Sequence, residues 1–170
     1  PLVKYAADFI SGRKNTKMVR AVRLNQWIVR GENLNQSALD DAVRAGKILY
    51  IGLSDAPAWV AARCNTTAEL RGWTQFSSMQ MEYSLVERGI EREHFPMCRD
   101  MDINITAWSP LASGMLSGKY TRGSDDARRL DTLPFHDITD QRLDVAKMVD
   151  QIADEIGCSS AQAALAWVRQ

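Results

Sequence analysis

Three short apolar runs recur along the middle of the chain at nearly constant intervals. They are Lys47-Ile48-Leu49-Tyr50-Ile51-Gly52-Leu53, Phe76-Ser77-Ser78-Met79-Gln80-Met81 and Ile103-Asn104-Ile105-Thr106-Ala107-Trp108. Their length and their β-branched and aromatic content read as strands. Beginning near residues 48, 76 and 103, they lie 28 and then 27 residues apart. The intervals between them read as helices. The first opens at Ser54-Asp55-Ala56-Pro57, a helix-start pattern, and runs through Arg63. The second spans Glu87 to Met101, with Ile90, Phe95, Met97 and Cys98 toward the inside and Pro96 kinking or splitting it. A strand–helix–strand rhythm of this length predicts right-handed βαβ units and a parallel sheet, hence an α/β fold.

The flanks are less regular. Leu2-Val3-Lys4-Tyr5 can form a short strand. A helix is expected over Lys17 to Val29, with Met18, Val22 and Trp27 as its apolar positions. A break over Gly31–Asn35 and a second helix over Ser37–Arg44, stopped by Gly46, follow. Beyond the third strand, Ser109 to Tyr120 is a loop rich in small residues, and Thr121 to Leu133 reads as a solvated loop. Asp137 or Thr139 can cap the next helix, whose inner face would carry Leu143, Ala146, Val149, Ile152 or Ala153, and Ile156, with Gly157 as its stop. Ser159 with Gln162 forms the pattern of a capping box. The helix that it opens runs to Gln170 without a glycine or proline stop, and the chain starts at Pro1, so a fragment lacking both ends is expected.

Composition narrows the functional classes. Twenty-one basic and 21 acidic residues cancel, which leaves no electrostatic footprint for nucleic acid or an anionic membrane. No apolar run approaches the roughly 20 residues of a membrane span, and the start lacks the pattern of a secretory signal. Three scattered cysteines, Cys64, Cys98 and Cys158, read as reduced thiols of a cytoplasmic protein. His94 and His136 share no ligand spacing with them, so no metal site is expected.

In a parallel α/β protein, ligands bind where strands end and the following loops begin. That rule selects Ser54 and Asp55, then Gln80 and Glu82, then Trp108, Ser109 and the loop beyond. Each has a plainer role open to it: Ser54 and Asp55 can cap a helix, Gln80 can satisfy a buried backbone group, and Trp108 can pack in a core. The loop's small residues, with Lys119 beyond them, can surround a phosphate without steric obstruction.

Three stretches together resemble the aldo/keto reductase family. They are Ala38 to Lys47 with Tyr50-Ile51-Gly52-Leu53-Ser54-Asp55, then Gln80-Met81-Glu82-Tyr83-Ser84-Leu85, then Ala107-Trp108-Ser109-Pro110-Leu111-Ala112-Ser113-Gly114-Met115-Leu116-Ser117-Gly118-Lys119-Tyr120. The branch is similar to aryl-alcohol dehydrogenase-like enzymes and potassium-channel β subunits. The resemblance implies a TIM (β/α)8 barrel that uses NADPH, or NADH, to reduce aldehydes and ketones. It implies that Ser54, Asp55 and Gln80 approach the nicotinamide carboxamide and that Trp108 stacks on the nicotinamide ring. Ser109, Pro110, Leu111, Ala112 and Ser113 would line the pyrophosphate, with Lys119 nearby and Arg129 toward the adenosine.

The resemblance also implies a catalytic aspartate, tyrosine, lysine and histidine. Lys4 matches the lysine, although a surface lysine would look the same. The aspartate and tyrosine have no match here. Where the family writes tryptophan–valine–histidine, this chain has Trp27-Ile28-Val29-Arg30, which ends in arginine. A barrel takes about 250 residues, so residues 1–170 are expected to form a single incomplete aldo/keto reductase domain, a partial barrel of parallel strands. An exposed sheet edge would then offer a route to self-association. The expected function is an NAD(P)H-dependent oxidoreductase acting on a small aldehyde or ketone, poorly active as this chain alone. The alternative is a non-catalytic nucleotide-binding or regulatory protein.

Overall fold

The computed structural model describes residues 26–30, 35–123, 130 and 137–170. Four strands, β1 (Gln26–Arg30), β2 (Tyr50–Ser54), β3 (Phe76–Glu82) and β4 (Asn104–Trp108), form one sheet in the order β1-β2-β3-β4. β1 pairs with β2, and β2 with β3, in parallel. Between them run α1 (Gln36–Arg44), α2 (Ala58–Arg71) and α3 (His94–Asp100). This is the repeating strand–helix unit that the 28- and 27-residue spacing anticipates. After β4 come a 3₁₀ segment (Ala112–Ser117), α4 (Asp140–Ile156) and α5 (Ser160–Val168).

The chain divides into two compact units, residues 1–81 with 91–106 and residues 82–90 with 107–170. In the first, β2 is buried from Ile51 to Ser54, as a strand inside a parallel sheet must be. Ile51, Leu53, Phe76 and Met79 are fully buried there together with Ala61 and Ala68 of α2. α1 is tied to the turn before β3 through Asp40. Its carboxylate accepts from the N–H and hydroxyl of Thr74, both at 2.8 Å, and from Arg44 Nε at 2.6 Å. The Arg44 hydrogen bond is the main reason the Asp40 carboxyl sits below the ordinary range, with Thr74 adding to it against the opposing effect of burial. The core of the second unit gathers Ala112, Met115 and Leu116 of the 3₁₀ segment, Ala146 and Val149 of α4, and Ala164 of α5.

Several sequence readings change. Residues 26–30 are strand, not the end of a helix, because the aromatic and β-branched Trp27, Ile28 and Val29 pair with Ile51, Gly52 and Leu53. The rest of the expected Lys17–Val29 helix, and the Leu2–Tyr5 strand, lie outside the described residues. The Glu87–Met101 segment is split, one of the two outcomes expected from Pro96, into a 3₁₀ turn at Gly89–Glu91 and α3. Pro96 stands in the first turn of α3, where its missing N–H costs nothing, while a continuous helix would drive its ring into the carbonyl of Arg92. The helix after the first clear strand is longer than expected and is capped by Pro57, with no side-chain capping bond. Ser54 and Asp55 are therefore not its caps.

Thr139, not Asp137, caps α4, accepting from Arg142 N–H at 3.3 Å. The buried stripe of α4 is Ala146, Val149, Asp150 and Ala153, whereas Ile152 and Ile156 are exposed. The stripe is turned by Asp150, whose partners all lie inside the second unit. The Ser159–Gln162 capping box is present in both directions. Ser159→Ala is expected to lower stability by about 0.5–2 kcal/mol, read as a shift of the urea midpoint. A midpoint equal to that of the wild type would mean the cap is dispensable.

Candidate functional site

Parallel pairing puts the C-terminal ends of β1, β2 and β3 side by side. Arg30 is in register with Ser54, and Ser54 with Gln80. The two strand-end residues chosen from the sequence, Ser54 and Gln80, thus share one rung, which Arg30 completes. Arg30 is also the residue that stands where the family pattern has histidine.

Just past this rung the chain leaves β2 through Asp55, whose φ is +49°. The Asp55 N–H donates to the Gln80 carbonyl at 3.1 Å, and Ser54 Oγ donates to Asp55 Oδ2 at 3.3 Å. The next residue, Ala56, is held from outside the strand. Its carbonyl lies 3.1 Å from His94 Nε2, which places the donated proton on that nitrogen. His94 Nδ1 is buried and unpartnered among the described residues. Sequence reading gave His94 no role, since a single histidine on a helix has no pattern to mark it.

In the second unit, Trp108 ends β4 and its carbonyl accepts from Tyr83 N–H at 3.2 Å. Trp108 is 37% exposed, which sets aside the reading of it as a core residue. The chain then turns sharply: Ala112 N–H donates to the Ser109 carbonyl at 2.8 Å and Gly114 N–H to the Leu111 carbonyl at 3.0 Å. Ser109, Ala112 and Ser113 have φ of +55°, +48° and +55°, and Gly114 and Gly118 follow at +97° and +86°. Met115 and Leu116 anchor the segment in the core.

Left-handed backbone at a residue with a side chain costs on the order of 1–2 kcal/mol and persists only where the surroundings impose it. Among the described residues, five non-glycine positions adopt it. Four of them, Asp55, Ser109, Ala112 and Ser113, are positions that the sequence assigns to the site; the fifth, Asp102, lies in the turn into β4. Ala112, Ser113 and Gly114 are left-handed in succession, and a turn of this kind can present backbone N–H groups to an anion. This backbone fits a dinucleotide's phosphates. Lys119 follows Gly118 and is half-buried. Lys4 and Arg129 lie outside the described residues. Cys64 and Cys98 offer little nucleophilic chemistry, because burial pushes their thiols up.

Comparison with known proteins decides the family. Residues 23–170 match the aldo/keto reductase family. The chain belongs to the aldo/keto reductases. It is 38% identical over 134 residues to the oxidoreductase YrpG of Bacillus subtilis (strain 168), covering 77% of this chain and 39% of that protein. It is 34% identical to the versiconal hemiacetal acetate reductase of Aspergillus parasiticus, over 76% of this chain and 39% of that one. It is 32% identical to the aryl-alcohol dehydrogenase [NADP(+)] of Phanerodontia chrysosporium, over 79% of this chain and 36% of that enzyme. The chain thus spans well under half the length of these relatives. The α/β units with parallel strands described above are part of the TIM barrel of this aldo/keto reductase family.

Proposed function

We propose that this chain is part of an NADP(H)-dependent oxidoreductase that interconverts a small aldehyde or ketone with its alcohol. The observation that carries the reading is the left-handed backbone of Ser109, Ala112 and Ser113, in the loop that the family resemblance gives to the pyrophosphate. The names of the relatives, a hemiacetal acetate reductase and an aryl-alcohol dehydrogenase using NADP(+), support carbonyl–alcohol chemistry and that cofactor. NADH is the second candidate.

When bound, the nicotinamide supplies or accepts the hydride. The chain's own residues bind and orient. Ser54, Asp55 and Gln80 would hold the carboxamide, and Trp108 would cover one ring face so that hydride moves only from the other. The N–H groups of Ser109, Leu111 and Ser113, with Lys119, would take the pyrophosphate charge, while Pro110, which has no N–H, and Ala112, whose N–H donates to the Ser109 carbonyl, would fix the turn. Arg129 would approach the adenosine, and Lys4 would lower the pKa of a proton-donating phenol. Residues 1–170 would form a single incomplete domain, cytoplasmic, able to self-associate through an unpaired sheet edge, and directed to a small molecule instead of nucleic acid or membrane. A second reading, a nucleotide-binding or regulatory protein without turnover, is favoured by Arg30, which ends β1 in place of histidine.

The direct test is titration with NADPH, followed by nicotinamide fluorescence. Stacking of a ring on an aromatic side chain is worth about 1–3 kcal/mol. Trp108→Ala should therefore raise Kd roughly tenfold or more, while Trp108→Phe retains most of the affinity. Equal affinity in the wild type and Trp108→Ala would remove Trp108 from the site.

A further inference from the structure

The turn that follows the candidate phosphate loop is fastened by one carboxylate on a distant helix. Asp150, in the middle of α4, is only 9% exposed. It receives the hydroxyl of Thr121 on one oxygen and that of Ser160, at 2.5 Å, on the other. Arg122 Nε lies 3.4 Å from the second oxygen. The same guanidinium donates through Nη2 to the Asp150 carbonyl at 2.9 Å and to Asp154 Oδ1 at 2.8 Å. Burial by itself would raise the Asp150 pKa, yet the hydrogen bonds from Ser160, Thr121 and Arg122 outweigh it and keep the carboxylate ionised.

Thr121 and Arg122 belong to the turn over residues 118–123, and both of their N–H groups donate to the Gly118 carbonyl, at 3.3 and 3.0 Å. Gly118 has φ of +86°, and a Cβ there would stand 3.2 Å from Ser160 Oγ and 3.2 Å from Arg122 Cδ. The turn is therefore pressed against the first residue of α5 and clamped to the middle of α4. Lys119 is the residue between Gly118 and this clamp. Arg122, with its guanidinium held by two carboxylates, is part of the clamp.

We propose that Asp150 is the positioning residue of the cofactor loop: through Thr121, Ser160 and Arg122 it fixes the Gly118 turn and so sets where Lys119 meets the cofactor's phosphates. This rests on the reading of Ser109–Ser113 and Lys119 as the pyrophosphate site. No other described carboxylate joins α4, α5 and the loop.

The experiment is NADPH titration of the 170-residue chain and its variants, with hydrogen exchange of residues 118–123 measured without cofactor. Asp150→Asn and Thr121→Val should each raise the NADPH Kd about tenfold, as expected for losing a hydrogen bond to a charged group, and should speed exchange across 118–123. Thr121→Ser keeps the hydroxyl and should bind as the wild type does. Asp40→Asn breaks a similar carboxylate cluster in the other unit; it should lower the thermal midpoint and leave NADPH affinity unchanged. Should Asp150→Asn fail to fold, Thr121→Val against Thr121→Ser decides. Wild-type binding with unchanged affinity in Asp150→Asn and Thr121→Val overturns this inference alone. Equal losses in Thr121→Ser and Thr121→Val, or a loss in Asp40→Asn matching that in Asp150→Asn, also overturn it. A wild-type chain that does not bind NADPH overturns the cofactor reading, and this inference with it.

Discussion

Asn65→Leu is expected to destabilise the chain by about 2–5 kcal/mol, a loss large enough to threaten folding at ordinary temperature. Asn65 lies on α2 and is 1% exposed. Its amide lies against the first residue of β3: Oδ1 accepts from Phe76 N–H at 2.8 Å, and Nδ2 donates to the Phe76 carbonyl at 3.0 Å. The side chain thus does for Phe76 what a neighbouring strand does elsewhere. It is needed there because the pairing with β2 is irregular: Ile51 matches Phe76 but Gly52 matches Ser78, so Ser77 is skipped. Leucine has similar volume and leaves two buried backbone groups without partners, each costing about 1–3 kcal/mol. Asn65→Asp restores the acceptor but sets a carboxylate against the Phe76 carbonyl, so it should not rescue. Urea denaturation measures the effect, and a variant within about 0.5 kcal/mol of the wild type would show that water replaces the amide. The consequence reaches the site, since β3 begins at Phe76 and delivers Gln80, its fifth residue, beside Ser54 only if its register holds.

What the sequence displayed and what it hid have physical causes. The strand rhythm was legible because parallel strands buried on both faces must be short and apolar, and the helix between them sets their spacing. Ser54, Gln80 and the Trp108 loop were legible for the same reason, since strand polarity alone directs attention to those ends. β1 was misread because Met18, Val22 and Trp27 imitate helical spacing, and only pairing with Ile51, Gly52 and Leu53 decides for strand. Asp150 was invisible: a charged residue on a helix is nearly always solvated. Its partners, Thr121 and Ser160, are 29 and 10 residues away and share no pattern with it. The left-handed φ at Ser109, Ala112 and Ser113 was equally hidden, because serine and alanine give no local sign of a conformation that packing imposes.

Carbonyl reduction by the 170-residue chain alone is expected to be at least 10²–10⁴-fold slower than by a full-length relative, the share that general acid catalysis contributes. Hydride transfer to a carbonyl leaves charge on oxygen, and a positioned donor must neutralise it. The resemblance supplies a candidate lysine, Lys4, which acts only by lowering the pKa of a phenol beside it. Tyr5 is the next residue, and no tyrosine of the chain matches the family's proton donor. At the end of β1, where a histidine could orient the carbonyl, stands Arg30. On the proposed reading, binding is expected to exceed turnover, and the two can be separated by experiment. NADPH fluorescence titration should report binding, while NADPH oxidation with a panel of aromatic and aliphatic aldehydes should stay near background. The aryl-alcohol dehydrogenase of Phanerodontia chrysosporium, assayed in parallel, provides the reference rate. Comparable turnover by the two proteins would mean that this chain holds a proton donor that the family pattern does not reveal. Substitution of its tyrosines, Tyr5, Tyr50, Tyr83 and Tyr120, would then be the way to find it.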